Sequence, residues 1–306
     1  MDLVCKICNG SFQDAKTLHR HIGFKEKVKI KDYYHKYFPR YDLYSKQLIE
    51  FKSAEQYLHD NFSNREHLVI YLQKVPKDKV KQCITDILLA EKKRKNLIYA
   101  PSYIEAISSM LPTPQLCEKI GADYSESCNE VGLINKYNYS IIPKVEDENK
   151  LHYLVDNREQ TPFNLDGEII KTTLNFGDLC VTDEQYFSHV YLECKRDMDL
   201  ISSLTSGFDR IKKECKRAAD AGAYLVFLTN LTLSTALNVE KNRYFGRFTK
   251  VKGDYLFHNI RELIREFNNI QFIFTDRPEE KIEKIFKLGN KVKEIDLQYL
   301  VQKNLL

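Results

Sequence analysis

Two short apolar runs with acidic residues at their ends constrain the fold of this chain more than any other feature. The first covers residues 179–181 and follows Asp178, and the second covers residues 190–192 and continues into Glu193 and Lys195. β-Branched and aromatic residues bounded by Gly, Asp, Ser and Thr are typical of β-strands. Because side chains two positions apart on a strand share one face, Glu193 and Lys195 are predicted to lie together.

If Asp178 lies on a neighbouring strand, two carboxylates and one ammonium group converge, an arrangement that suits phosphodiester hydrolysis. Carboxylate oxygens bind Mg²⁺, which usually keeps several waters, and the metal generates a nucleophile and stabilises phosphate charge. Lys195 can position the attacking water or neutralise the developing anion. The alternative is a solvated strand end with a surface salt bridge, which is usually worth about 0–1 kcal/mol.

Three further features accompany this pattern, one before it in the chain and two after it. A Val-Asp-Asn-Arg-Glu segment ends at Glu159, Asp199 lies four residues beyond Lys195, and a Gly-Phe-Asp-Arg segment begins at Gly207, before a basic helix. The succession resembles the XPF-type nuclease domain of the PD-(D/E)xK superfamily over roughly residues 150–275. The resemblance implies an α/β nuclease domain with a central mixed sheet flanked by helices.

The resemblance also implies roles for individual residues, with Mg²⁺ or Mn²⁺ as the cofactor. Asp178 and Glu193 match the two metal-binding acids of the family, and Lys195 matches its catalytic lysine. Glu159 matches the acid of the first strand, and Asp199 matches the closing acid. One position departs from the family pattern, since Cys194 stands where the family has Arg. The change is tolerable if that position contributes its backbone carbonyl, and it lowers substrate affinity if the Arg side chain contacts DNA.

The N-terminus matches the first three ligands of a two-Cys, two-His zinc finger. These ligands are Cys5, Cys8 and His21. Phe12 and Leu18 occupy the two apolar positions that form the small core of such a module. The fourth His is missing from its usual place, where Glu26 could supply an oxygen ligand, and His35 could instead fold back. A degenerate finger held by packing alone is the alternative to this Zn²⁺ site.

A Tyr- and Lys-rich stretch, residues 30–38, follows the finger. The combination resembles modules of phage-encoded DNA-binding proteins and nucleases. Aromatic residues interleaved with Lys suit base stacking and phosphate contact. A short amphipathic helix whose Tyr residues cover the finger is an equally good interpretation.

Helical periodicity marks residues 40–97, with a capping box at Ser53 and Gln56 and a basic end at residues 91–95. Three short helices within residues 100–135 resemble a helix-turn-helix type module, and a structural helical bundle is the alternative. Residues 140–150 are predicted to be a charged linker. The predicted domains are a zinc-finger-like module with a basic, aromatic extension (1–38), a helical and potentially DNA-binding region (39–140) and the nuclease domain (150–306).

The nuclease domain is predicted to begin with strands at residues 154–156 and 168–172, which form a β-meander with the two acid-ended runs. A long helix over residues 200–221, broken near Gly207, follows. Strands at 224–228 and 270–274 alternate with helices at 257–267 and 279–288, as in an α/β sheet. The basic face of the long helix is predicted to bind DNA, with a solvated face as the alternative. Its residues are Arg210, Lys213, Lys216 and Arg217.

Charge is distributed unevenly along the chain. The first hundred residues carry 20 Lys and Arg against 12 Asp and Glu, a net of +8, whereas the remainder carries 27 against 31. A basic N-terminal third is consistent with a phosphate-binding surface, although ordinary solubilising Lys also explains it. No apolar run reaches the roughly 18 residues of a membrane span. Scattered Cys residues are expected to be reduced, so the predicted location is the cytoplasm, that of the host if the chain is phage-encoded.

The function predicted from these features is a metal-dependent, structure-selective DNA endonuclease of phage-type recombination, replication or repair. Its expected partner is branched or duplex DNA, and analogy with related nuclease domains implies a homodimer. The alternative is a non-catalytic DNA-binding or scaffolding protein with a relic nuclease fold, and an RNA nuclease is a third interpretation.

Overall fold

The computed structural model describes residues 3–44, 46, 48–51, 56–57, 61–137, 152–159, 165–182, 188–247 and 249–306. The chain forms two compact units, of which unit 1 comprises Met1–Ile98 and Ser109–Leu133, and unit 2 comprises Tyr99–Ser108 and Ile134–Leu306. The three-part domain division drawn from the sequence stays a prediction. The capping box at Ser53 and the charged linker lie outside the described residues, wholly or in part.

The strands are β1 (Leu3–Val4), β2 (Ser11–Phe12), β3 (His152–Asp156), β4 (Glu168–Thr172), β5 (Leu179–Thr182), β6 (Val190–Lys195), β7 (Tyr224–Thr229) and β8 (Ile270–Phe274). The α-helices are α1 (Ala15–Phe24), α2 (Ile30–Tyr37), α3 (Arg65–Lys74), α4 (Val80–Lys95), α5 (Tyr103–Ser108), α6 (Pro114–Lys119), α7 (Tyr124–Glu130), α8 (Asp197–Ser203), α9 (Phe208–Asp220), α10 (Leu233–Leu237), α11 (Gly253–Glu266), α12 (Glu279–Leu288) and α13 (Leu297–Gln302). In the part of the chain that the structure describes, no helix is both long and apolar enough to cross a membrane.

Unit 1 begins with a small ββα module, in which β1 pairs antiparallel with β2 and α1 follows. The Asp14 side chain accepts a hydrogen bond of 2.7 Å from the backbone N–H of Thr17 and thereby caps α1. The buried core of the module consists of Cys5, Leu18, Ile22 and Tyr33. A core of this size supplies little stability on its own, and a bound metal ion would stabilise the module further.

Helix α2 packs its tyrosines against the finger. Tyr33 is fully buried, and its hydroxyl accepts a hydrogen bond of 2.8 Å from the backbone N–H of Lys6. The hydroxyl of Tyr34 lies 2.7 Å from Nε2 of His19, and its ring stacks on Tyr57 with a centroid separation of 4.4 Å. These contacts favour the helix that covers the finger over a nucleic-acid stacking surface made of the same rings.

Three cations at the basic end of α4 make contacts within unit 1. At the basic end of α4, Lys92 donates hydrogen bonds to the carbonyls of Val131 and Gly132, which follow α7. Arg94 and Lys95 both pair with the buried carboxylate of Glu91. Basic side chains near a helix C-terminus complement the helix dipole, so these contacts stabilise the C-terminal end of α4.

The three short helices predicted within residues 100–135 exist but do not form one module, because α5 belongs to unit 2 while α6 and α7 belong to unit 1. Helix α7 is acidic, and Glu126 and Glu130 both bind Lys81, each at 2.6 Å. An acidic helix is a poor partner for phosphate, which favours the structural bundle over a helix-turn-helix module that binds DNA.

Unit 2 is built on a six-stranded mixed sheet in the order β4-β3-β5-β6-β7-β8. Strands β6, β7 and β8 are mutually parallel, whereas β5 runs antiparallel to both β3 and β6. The inner strand β7, between β6 and β8, is buried along its whole length, as expected for a strand covered on both faces. The predicted fold class, a mixed sheet flanked by helices and preceded by a finger-like module and a helical region, is confirmed.

The predicted β-meander at the start of this sheet is wrong. Strand β4 pairs parallel with β3, at the edge of the sheet, and β5 pairs antiparallel with the other side of β3. The side chains of β4 are largely exposed on both faces, as is typical of an edge position. Short strands with similar composition do not specify their neighbours, so the sequence predicted the strands but not their order.

The helices of unit 2 follow the predicted pattern closely. The long helix after β6 is divided into α8 and α9 at residues 204–207, where the break near Gly207 was predicted. Helix α9 buries Ile211, Cys215 and Ala218 and exposes its basic residues. Asp296 caps α13 through the N–H of Tyr299 and also accepts a 2.8 Å hydrogen bond from the N–H of Tyr103, which ties α5 to unit 2.

Candidate functional site

A polar cleft of about 790 Å³ opens in unit 2 between the ends of the central strands and helix α9. It is lined by Asp156, Arg158, Leu174, Asn175, Phe176, Gly177, Asp178, Glu193, Lys195, Ser203, Arg210, Ile211, Lys213, Glu214 and Arg217. Asp178, Glu193 and Lys195 thus line the same cavity, as their positions on adjacent strands predict.

The backbone around Asp178 is fixed by its neighbours. Gly177 has φ of +58°, and its turn brings the N–H of Asp178 to within 2.7 Å of the carbonyl of Leu192 on β6. The side chain then bridges the same two strands, because Oδ2 of Asp178 accepts a 2.7 Å hydrogen bond from the N–H of Cys194. A carboxylate oxygen therefore completes the backbone pairing at the start of β5 and the end of β6.

Glu193 and Lys195 are neighbours on β6. Nζ of Lys195 lies 2.5 Å from Oε1 of Glu193, and the side chains are 19% and 7% exposed. Burial opposes the charge on Lys195, but Glu193, Asp178 and Glu214 outweigh that effect and raise its pKa. The raised pKa means that Lys195 carries its positive charge at neutral pH.

Burial, together with the charge of Glu193, raises the pKa of Asp178 to about 7. Two carboxylates that share a buried cleft repel each other, and a cation between them relieves that repulsion. Each carboxylate keeps an oxygen beyond the one used for Cys194 or Lys195, and hard oxygen donors suit Mg²⁺ or Mn²⁺. The residues present therefore fit a divalent ion, with water and phosphate supplying its remaining ligands.

Asp156, at the end of β3, is a carboxylate whose partner the sequence interpretation missed. Its Oδ1 accepts from both the N–H and Nε of Arg158, and its Oδ2 accepts from Nη2 of Arg158 and the N–H of Leu174. The hydrogen bonds from Arg158 lower the pKa of Asp156 to about 2. Both oxygens are engaged, so Asp156 organises the cleft wall and is a poor candidate for a metal ligand.

Glu159 and Asp199, the two supporting acids, do not line the cleft. Glu159 is half-buried next to β3 and its charge contributes to the raised pKa of Asp178, so it lies within electrostatic range of the site. Asp199 is exposed in the first turn of α8, where a negative charge stabilises the helix terminus.

Glu214 on α9 lines the cleft and was not predicted. Burial and the charge of Glu193 raise its pKa. A signal was present in the sequence, because Glu214 is three residues from Ile211 and four from Ala218, on the buried face of an amphipathic helix. An acid on an apolar stripe usually has a specific environment.

The predicted basic row of α9 divides into two groups. Arg210, Lys213 and Arg217 line the cleft. Lys216 does not, and it pairs with Asp220 at 3.0 Å. The cleft therefore combines carboxylates with three cations along one wall.

In unit 1, four side chains bring metal-binding atoms together: Cys5, Cys8, His21 and Glu26, whose ligand atoms all lie within 4.8 Å of one another. Nε2 of His21 is 3.2 Å from Sγ of Cys8 and 3.0 Å from Oε1 of Glu26. His35 is outside this group, and its Nε2 accepts a hydrogen bond of 3.0 Å from the N–H of Phe51. Two thiolates, an imidazole and a carboxylate are ligands that zinc accepts in a tetrahedral site.

No protein-family model matches the chain, and no curated protein sequence matches it significantly. Two solved structures share part of its shape: XPF from Aeropyrum pernix in complex with DNA, with 20% identity and a TM-score of 0.34, and XPF from Aeropyrum pernix, with 18% identity and a TM-score of 0.31. They cover 46% and 45% of this chain. The chain spans 64% and 63% of their length, a little under two thirds. At these scores the comparison assigns no activity.

Proposed function

We propose that this chain is a divalent-metal-dependent endonuclease that cuts DNA, selects its substrate by structure, and serves phage-type recombination, replication or repair. The observation that carries the proposal is the cleft in which Asp178, Glu193 and Lys195 lie together beside three cations of α9. Carboxylates and cations at one site suit a substrate that brings both a metal ion and phosphate groups.

In this proposal Asp178 and Glu193 hold Mg²⁺ or Mn²⁺, which supplies Lewis acidity and an activated water when bound. Lys195 is held by Glu193, and its ammonium group stabilises the negative charge that develops on the phosphate. Glu159 supports the site through its charge, and Asp199 stabilises the start of α8. Arg210, Lys213 and Arg217 bind the flanking phosphates of the DNA strand.

The finger is proposed to bind one Zn²⁺ through Cys5, Cys8, His21 and Glu26. Its role is structural, because four protein ligands leave no open position for a substrate. A homodimer and a cytoplasmic location stay predictions.

The test is cleavage of labelled flaps, junctions, nicked duplexes, plain duplexes and single-stranded RNA with Mg²⁺ or Mn²⁺. Lys195→Ala and Asp178→Asn should each lower the rate by at least about two orders of magnitude, while zinc content and folding remain intact. Lys216→Ala, which lies outside the cleft, is the matched control and should cut at nearly the normal rate.

The proposal fails if no DNA is cut with either metal ion. Binding without metal-dependent turnover would establish the relic nuclease, and cleavage confined to RNA would establish the RNA nuclease. Cutting that survives the double variant Asp178→Asn with Lys195→Ala would reject the site assignment alone.

A further inference from the structure

The finger helix α1 carries an exposed stripe of two cations and one aromatic ring. Lys16, Arg20 and Phe24 are spaced four residues apart, so they share one face of the helix. All three are exposed, and Phe24, at 81%, has the highest exposed fraction among the large apolar residues that the structure describes. The opposite face of α1 carries the buried Leu18 and Ile22.

The surroundings of this stripe are positively charged and open. Residues 15–29 contain five Lys and Arg but a single acidic residue, Glu26, which pairs with His21. The carboxylate of Asp14 is used to cap the helix. Next to Phe24, a Cβ added at Gly23 would meet no atom of the described residues within 4 Å. The ring therefore lies on an uncovered cationic surface.

We propose that this stripe binds DNA where bases are unpaired, with Phe24 stacked on a base and with Lys16 and Arg20 on the adjacent phosphates. A ring among cations is how proteins hold single-stranded nucleic acid, because each base offers a face for stacking and each nucleotide a phosphate. Bases inside a duplex have both faces covered by their neighbours, so the ring needs an unpaired base. Charge complementarity favours this ligand over a protein, whose docking patch is usually a contiguous apolar surface.

The inference concerns binding by unit 1 and goes beyond the proposed cleavage. The experiment measures fluorescence anisotropy of the full chain without Mg²⁺, on a labelled duplex and on the same duplex with a single-stranded tail. Phe24→Ala should weaken binding to the tailed DNA about tenfold, leave the blunt duplex nearly unchanged, and keep the salt dependence. The double variant Lys16→Ala with Arg20→Ala should weaken both and reduce the slope of log K against log salt by roughly 0.7–0.9 per cation.

Gly23 allows a charge of either sign to be placed beside Phe24, since its position in the helix is open. Gly23→Glu should weaken binding to the tailed DNA and Gly23→Lys should strengthen it, and either side chain should be tolerated by the helix. Tyr255→Ala, at a 51% exposed aromatic on α11, is the control and should bind normally.

The inference is overturned if Phe24→Ala binds both DNAs as the unaltered chain does, or if the two Gly23 variants act in the same direction. Equal weakening on blunt and tailed DNA would show that Phe24 does not contact an unpaired base. Since cleavage is not measured, a chain without nuclease activity would still give the expected result.

Discussion

Gly177 shows at the scale of one residue how the backbone places the candidate catalytic acid. Its φ of +58° is in the left-handed region, and a Cβ there would lie 2.6 Å from the carbonyl oxygen of Leu192. That carbonyl is the acceptor for the N–H of Asp178. The close approach of β5 and β6, and with it the position of Asp178, thus requires glycine at this position.

Gly177→Ala is therefore expected to destabilise unit 2 and to lower cleavage. Gly222→Ala is its control, since Gly222 also has a positive φ, +71°, but its added Cβ would meet nothing within 4 Å in the part of the chain that the structure describes. The control should cost about 1–2 kcal/mol for the left-handed conformation alone. Gly177→Ala should cost more, as measured by urea unfolding. Equal costs would contradict the steric argument.

The ion pair of Asp156 and Arg158 should make stability depend on acid pH. The pKa of Asp156 is about 2 in the folded chain, against an ordinary value of 3.8. Its ionised form therefore stabilises the fold in full above about pH 4 to 5, and this contribution is lost as the pH falls towards 2. Asp156→Asn should be less stable than the unaltered chain at pH 7, and the difference should shrink as the pH is lowered through 4.

Urea unfolding of both chains at several pH values measures this difference directly. Asn keeps one oxygen that can accept, for example from the N–H of Leu174, but its amide nitrogen cannot accept from Arg158. The comparison therefore measures the charge of Asp156 together with its hydrogen bonds to Arg158. A difference between the two chains that stays constant from pH 7 to pH 3 would contradict the assignment.

The sequence predicted Asp178, Glu193 and Lys195 as neighbours because strand periodicity and motif order act over short distances. It did not predict that Arg158 occupies both oxygens of Asp156, nor that Glu214 lines the cleft. Both depend on how β3 and α9 approach the other strands. The packing of β3 and α9 against the other strands is part of the tertiary structure, and the spacing of residues along the sequence does not predict it.

At the scale of elements, the two sides of helix α9 are expected to differ in their contribution to DNA binding. Lys213 lines the cleft, whereas Lys216, three residues on, pairs with Asp220. Lys213→Ala should weaken DNA binding and lower the slope of log K against log salt by about 0.9. Lys216→Ala should change both quantities much less, because its charge is already paired. Anisotropy titrations at several salt concentrations compare the two variants, and equal effects would mean that DNA follows the outer face of α9.

At the level of elements, the strands and most helices of unit 2 were predictable, but the pairing of β4 was not. The alternation of apolar and polar residues sets which face of a strand is buried. It does not select a partner, and β4, with Ile169 and Ile170 both about 40% exposed, has no strong preference for a central place in the sheet. The resemblance to a nuclease domain supplied the fold class, which the structure bears out.

For the whole molecule, metal content is the most direct test of the finger. One zinc ion per chain should be released when the thiols are modified, as measured with a colorimetric zinc indicator. Cys8→Ala should abolish binding, since it removes one of two thiolate ligands. Glu26→Gln should lower affinity by more than the roughly 10–100-fold typical of changes outside the ligand shell.

His35→Ala is the matched control, because His35 accepts a hydrogen bond from Phe51 and lies outside the ligand group. It should bind zinc as tightly as the unaltered chain. A purified chain without zinc, or a Glu26→Gln variant with normal affinity, would contradict the four-ligand site.

The assignment of residues 99–108 to unit 2 shows a limit of sequence reasoning at this scale. Tyr103 donates its N–H to Asp296, 193 positions along the chain. Short-range signals describe α5 correctly as a helix with a cap and a turn. Short-range signals do not predict a partner so far along the chain. The grouping of α5 with α6 and α7 in one module was therefore wrong.

The hydrogen bond from Cys194 to the side chain of Asp178 has an evolutionary consequence. One carboxylate oxygen completes the pairing of two strands, so selection for folding alone would retain an acceptor at this position after hydrolysis was lost. Asparagine would serve that purpose, but it lacks the charge that a metal ion requires. The balance of Asp and Asn here among homologous chains would therefore record in which lineages the proposed metal-dependent chemistry is under selection.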